Sequence, residues 1–115
     1  MKTTIGVRQM INSDFALSAD AGDKVFAAID QALRQGHDVT LDLSGIENAT
    51  TVFLNAAVGR LVGSYKADEL RQRVDVVHAN QLVGRMFRLV TRNAKRYFEN
   101  REAAELRDEL LLADG

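Results

Sequence analysis

Asp42 and Glu47 stand five positions apart, and two carboxylates at such a spacing could share acid–base work. No nucleophile, histidine or cationic stabiliser accompanies them, so Asp42 is read instead as an acceptor for N–H groups of its own loop. Thr50 and Thr51 place hydroxyls where a helix is expected to begin. Such residues cap helices, and they can also take a phosphate, which adds about −1.5 to −2 charge. Capping is the plainer reading and regulated phosphorylation the sharper one. His37 follows Gly36, and His78 ends an apolar run; neither has a second ligand at metal spacing, so both are read as structural and no metal is expected. Asn48-Ala49-Thr50 matches a glycosylation triplet, which carries no weight without a secretory signal. The last group is cationic: Arg85, Arg88, Arg92, Lys95 and Arg96, with no acidic residue between Gln81 and Phe98. Spacings of three and four put these on one helical face able to hold anions or follow phosphates. No exposed aromatic residues are expected between them. The acidic stretch that follows offers another explanation, charge pairing within the chain or with a second copy.

The elements that must position these residues can be taken in order. Thr3 to Ile11 is β-branched and apolar, as in a strand, and Asn12-Ser13-Asp14 reads as a turn. Phe15-Ala16-Leu17 is expected to return as a short hairpin partner. Ser18 and Asp20 are N-cap types; after them Val25, Ala28, Ile29, Ala32 and Leu33 form an apolar helix stripe that Gly36 closes. Val39, Leu41 and Leu43 alternate with Thr40 and Asp42, the period of a half-buried strand, and Ser44-Gly45 breaks it. Leu54, Ala57, Val58, Leu61, Val62 and Tyr65 then recur at helical spacing. Ala56 and Arg60 are expected on the face away from that stripe. Gly59 and Gly63, four apart, mark a strip open to close packing. Lys66 to Arg73 reads as a charged, solvated link into a strand at Val74, Val76 and Val77. Asn80 opens a further helix whose apolar face runs from Leu82 to Phe98. Beyond Phe98 the charge reverses, and Leu106, Leu110 and Leu111 lie among acids, as in an amphipathic extension of about four turns.

The stretch from Val39 to Val62 resembles the strand–loop–helix core of STAS domains, the fold of bacterial anti-sigma-factor antagonists. It is closer still to the STAS-like family of unknown function. Asp42, Gly45, Ile46, Phe53, Leu54, Gly59 and Leu61 fit that family's pattern, and the match extends more weakly over Ala19–Val77. The resemblance implies a small α/β sandwich with a mixed sheet of about four strands and helices packed against it. It implies a non-enzymatic, protein-interaction role beside a regulatory partner such as an ATPase or kinase of the histidine-kinase (GHKL) type. The contact surface would be the loop and helix mouth, with Glu47, Asn48, Thr50, Thr51, Asn55 and Arg60 facing the partner. In anti-sigma-factor antagonists a serine at this mouth is phosphorylated; Val52 stands at that place here, leaving Thr51 or Thr50 as substitutes. Asn55 stands about where the family pattern has an acidic residue, and Ala56 and Ala57 add none.

Composition narrows the rest. With 115 residues and 46% apolar content, the chain can bury one core, assigned to residues 1–98, with 99–115 as a charged helical tail. A formal net charge of −1 exerts no global pull toward nucleic acid or anionic membrane. There is no cysteine, which excludes disulfides and thiolate chemistry and fits a reducing compartment. No apolar run approaches the roughly 18 residues of a membrane span, and no apolar leader opens the chain. A cytoplasmic, cofactor-free protein is expected, with a homodimer through the tail as one arrangement. Nucleic-acid binding through Arg85–Arg96 is the alternative function.

Overall fold

The structure, a computed structural model, describes residues 1–96. The expected helical extension over 99–115, the dimer contact assigned to it, the boundary at residue 98 and the core placement of Tyr97 and Phe98 lie outside the described residues.

Strand β1 (Lys2–Gly6) leads into a short helix α1 (Val7–Ile11), then β2 (Phe15–Ala16) and the long helix α2 (Ala19–Arg34). The expected strand therefore ends five residues early. Val7 and Ile11 are one helical turn apart, so coiling turns both inward: Val7 is fully buried and Ile11 packs on the core. Asn12 closes that turn in the left-handed conformation (φ 54°), its N–H bonded to the Arg8 carbonyl. Ser18 caps α2 by accepting the Ala21 N–H at 3.1 Å, and Gly36 follows its end at φ 84°.

Strand β3 (Asp38–Asp42) is the centre of a three-stranded sheet of order β1–β3–β5, with β5 at Val74–Val77. Both pairings are parallel, Ile5 and Val76 each standing opposite Leu41. Parallel neighbours need crossover connections, which the helical segments between them supply. The mixed four-stranded sheet expected from sequence is thus replaced by three parallel strands and a separate two-residue ladder. That ladder joins β2 to β4 (Asn48–Ala49), also in parallel, Phe15 opposite Asn48 and Ala16 opposite Ala49. The segment at Phe15 is not a hairpin partner, because α2 and β3 intervene before the strand it pairs with.

A continuous helical run follows β4: α3 (Thr51–Leu54), a π-helical turn (Asn55–Gly59) and α4 (Arg60–Ser64). Lys66–Arg73 is mostly exposed, as a solvated link should be, but it is helical, containing α5 (Ala67–Arg73). Asp68 and Glu69 occupy its first turn and Arg71 and Arg73 its last, complementing the helix dipole, and Leu70 packs on the core. Helix α6 covers residues 81–96.

The core runs through all layers. Val25 and Ile29 of α2, Val39 and Leu41 of β3, Phe53 and Leu54 of α3, and Val83 and Val90 of α6 are all at most 2% exposed. The run of residues 51–64 is covered on two sides, which a single apolar stripe does not reveal. Leu61 lies in the core, and Gly59 approaches Val90 on α6. On another side Ala56 meets Gly22 of α2, where an added Cβ would stand 2.7 Å from the Ala56 Cβ. Ala56 and Arg60 thus lie off the Leu54–Val62 stripe, on the side turned toward α2, where Ala56 is half-buried and Arg60 stays exposed. Gly63 is exposed, so the close-packing glycine pair expected at 59 and 63 is not realised; Gly22 makes the tight approach instead.

Arg73 ties the layers together. Its guanidinium donates to the Leu33 carbonyl at 2.8 Å and the His37 carbonyl at 3.0 Å. It also pairs with Asp38 at 3.3 Å and Glu69 at 3.1 Å. The end of α2, the start of β3 and helix α5 thus share one largely buried cation, which pre-organises its planar donor fork for several acceptors.

Candidate functional site

The turn after β3 is built by Asp42. Its Oδ1 accepts the Ser44 N–H at 2.9 Å and the Ser44 hydroxyl at 2.5 Å, an Asx-type turn that Gly45 completes at φ 78°. These two bonds, the side-chain one first, hold the Asp42 carboxyl below the ordinary aspartate range. Asp42 thus acts on its own loop. Glu47 is exposed and fixed by its backbone: its N–H donates to the Asp14 carbonyl at 2.8 Å, and its carbonyl accepts from Asn80.

Asn80 joins the loop to α6. Its Oδ1 caps the helix by accepting the Val83 N–H at 2.8 Å, while Nδ2 donates to the carbonyls of Ile46 and Glu47, each at 3.1 Å. The next clamp is Thr50. Its Oγ1 accepts the Phe53 N–H at 3.1 Å, capping α3, and donates to the Leu17 carbonyl at 2.7 Å. Both roles of this half-buried hydroxyl are therefore taken. Thr51 is exposed at the first helical position, and Asn48 is exposed with its Oδ1 turned onto the Ala49 N–H at 2.9 Å.

Asn55 is exposed one turn further along, so Glu47, Asn48, Thr51 and Asn55 all open to solvent around the mouth of α3. Arg60 is held elsewhere: Nη2 pairs with Asp23 of α2 at 3.0 Å, and the guanidinium carbon lies 4.0 Å from the centre of the Phe26 ring. This cation–π and ion-pair clamp draws Arg60 onto α2 rather than toward the loop.

Residues that the polar pattern missed complete the edge. Phe15, Leu17 and Val52 are 49%, 50% and 54% exposed. All three belong to the same corner, since Phe15 pairs with Asn48 in the ladder, the Leu17 carbonyl accepts from Thr50, and Val52 lies in α3. The signal lay in Phe15-Ala16-Leu17, where a strand sends Ala16 inward, fully buried, and its two neighbours outward.

The remaining candidates are scattered. His37 sits with Nδ1 3.1 Å from Thr3 Oγ1, and its N–H donates to the Ala32 carbonyl at 2.9 Å. His78 is exposed with φ 61°. No group of three or more metal-ligating side chains occurs among the described residues. No helix among the described residues is long and apolar enough to cross a membrane. Arg85, Arg88, Arg92, Lys95 and Arg96 are exposed along α6. Arg88, Arg92 and Lys95 also border a groove that α6 forms with α4 and α5.

One protein-family model matches residues 21–83, more than half of the chain; it is described as a STAS-like domain of unknown function (DUF4325). The chain belongs to this family. No curated protein and no solved structure matches it. The matched span of the STAS-like domain runs from α2 through β3, β4, the mouth of α3 and β5 into the first turn of α6, and leaves out Phe15 and Leu17.

Proposed function

We propose that this STAS-like domain is a non-enzymatic regulatory module that docks a protein partner on the corner formed by β2, β4 and the mouth of α3. The observation that carries this reading is the exposure of Phe15, Leu17 and Val52, each about half open, on segments tied by the β2–β4 ladder and the Thr50–Leu17 bond, with Glu47, Asn48, Thr51 and Asn55 open on the same segments. An apolar centre with a polar rim is the anatomy of a protein contact. The backbone beneath it is held by Thr50 and Asn80, so little ordering cost falls on binding. Asp42 is committed to the Ser44 N–H and hydroxyl of its own turn, which supports a structural role for it within a docking module. By resemblance to STAS domains, the partner we propose is an ATPase or kinase of the histidine-kinase type. Thr51 is the exposed hydroxyl at which phosphorylation would set a charge on the contact; Thr50 would have to give up two hydrogen bonds first.

Phe15→Lys with Val52→Lys, introduced into the full chain, is expected to abolish capture of such an ATPase from native lysate while leaving the unfolding midpoint near wild type. Capture at wild-type level by the folded double variant would refute the surface. The alternative, nucleic-acid binding, is favoured by the exposure of all five cations on α6. It requires a mobility shift that weakens steeply with salt and disappears on Arg88→Glu with Arg92→Glu.

A further inference from the structure

Strand β1 is an outer strand of its sheet, so among the described residues one side of its backbone has no ladder partner. The parity of the ladder fixes which groups are left. The Asp38 N–H donates to the Met1 carbonyl at 2.7 Å, and Lys2 stands opposite Asp38. Bonding groups alternate along a parallel strand, so Met1, Thr3 and Ile5 turn theirs to β3, and Lys2, Thr4 and Gly6 turn theirs outward. Natural sheets blunt such an edge with proline or charge. Strand β1 has no proline, and its one charge, Lys2, reaches across the sheet to Asp75 of β5 at 3.1 Å. The edge is unguarded. We propose that β1 pairs antiparallel with β1 of a second copy of this chain, about a two-fold axis at Thr4. This proposal does not depend on the docking corner at β2 and β4.

Three features select a second copy as the occupant. The first is register. Two-fold pairing at Thr4 makes Thr4 and the partner's Thr4 a hydrogen-bonded pair, each donating to and accepting from the other. It sets Lys2 opposite the partner's Gly6, whose N–H can donate to the Lys2 carbonyl, and Thr3 opposite the partner's Ile5. No like charges meet, and the central threonines form a favourable cross-strand pair. The second is charge. A two-fold contact brings each patch against itself, so a charged patch would repel its copy. The described residues that border the edge are uncharged, among them Gln9 and Met10 of α1 and Ala28, Gln31 and Gln35 of α2. Met10, 38% exposed, adds apolar surface there. The third is size. Three strands fall below the usual sheet of about four to six, and two copies joined at this edge make one sheet of ordinary size. The opposite edge suits a second copy less, because β5 carries Asp75 and the chain leaves the extended form at His78, φ 61°.

For the full chain, analytical ultracentrifugation is expected to find a species at twice the 12.7 kDa chain mass. Thr4→Pro removes the central outward donor without touching a bond to β3, and should weaken the dimer at least about tenfold, as the loss of paired backbone hydrogen bonds implies. Thr4→Lys and Thr4→Glu should each be monomeric at the same concentration. Mixing those two should give a heterodimer, because this register sets the new charges opposite each other. Circular dichroism on each variant establishes that the fold persists; if proline disturbs the strand, the Lys and Glu variants, which change only a side chain, decide. A monomeric wild-type chain, a dimer indifferent to Thr4→Lys, or failure of the mixed variants to associate would each overturn the proposal.

Discussion

Replacing Gly22 by Ala opposes two effects whose balance the structure decides. In the interior of α2, Ala is favoured over Gly by about 1 kcal/mol, so propensity alone predicts stabilisation. An added Cβ would stand 2.5 Å from the Phe53 carbonyl oxygen, 2.7 Å from the Ala56 Cβ and 3.2 Å from the Ala57 nitrogen. Two of these atoms are backbone and cannot rotate away. To reach ordinary contact, α2 and the run of residues 51–64 must part by about 1 Å, and overpacking against backbone that cannot rotate away costs about 2–3 kcal/mol, the upper part of the usual range. The expected net effect of Gly22→Ala is destabilisation by about 1–2 kcal/mol, or about 4–8 °C in Tm per kcal/mol for a domain of this size. Gly84→Ala is the matched control: its nearest neighbours would be Arg88 Nη1 at 3.6 Å and Ala79 Cβ at 3.9 Å, so the propensity gain of up to about 1 kcal/mol should survive. Urea unfolding with thermal melts measures both. Because the displaced residue Phe53 lies in the first turn of α3, amide shifts at Thr50–Val52 should also move in Gly22→Ala. A Gly22→Ala protein as stable as wild type, or more so, would refute the close approach of the two helices.

Asn80→Asp keeps the helix-capping acceptor but turns the donor for the Ile46 and Glu47 carbonyls into a carboxylate oxygen. Although Asp caps helices as well as Asn does, unfolding should show a loss of about 1–2 kcal/mol, and equal stability would refute the double tie. Ser44→Ala removes the largest cause of the low Asp42 pKa, so a carboxyl NMR titration should move Asp42 upward toward the ordinary range. A depressed carboxyl contributes stability above its unfolded pKa and loses it as pH falls through the folded value. The variant should therefore show a smaller contribution from Asp42 to the acid limb of stability, and an unmoved titration would refute the assignment. Tyr65→Phe deletes the hydroxyl donating to Asp30 at 2.7 Å, and an expected cost of about 1–2 kcal/mol would show in chemical unfolding; no change would mean the bond adds nothing net.

Local chemistry was legible wherever one residue and its near neighbours settle the outcome. The alternation of Val39, Leu41 and Leu43 specified β3, and Ser18, Thr50 and Asn80 cap α2, α3 and α6 as their types and positions imply. Asp42 turns onto its loop because Ser44 lies two residues away, within reach of any conformation the turn allows. The STAS-like resemblance around Asp42–Leu61 rested on the same short-range pattern. The sheet was misjudged where propensity was the only guide: Val7 and Ile11 have β-forming side chains, yet their spacing satisfies the core better as a helical turn.

What tertiary structure alone decided involves partners distant in sequence. Phe15 acquires its meaning from Asn48, with which it forms the ladder that ties its segment to the mouth of α3. Arg60 stands exposed off the apolar stripe as its spacing implied, yet it pairs with Asp23 and Phe26 because α2 lies there. Gly22 carried no periodic signal, since its missing side chain is made necessary by Phe53, Ala56 and Ala57, more than thirty residues away. The sequence by itself determined that the stretches of α2, β3, residues 51–64, β5 and α6 coil or extend, through spacings of two, three and four residues. Which surfaces remain open for a partner was decided by packing between segments tens of residues apart, and no local spacing encodes that.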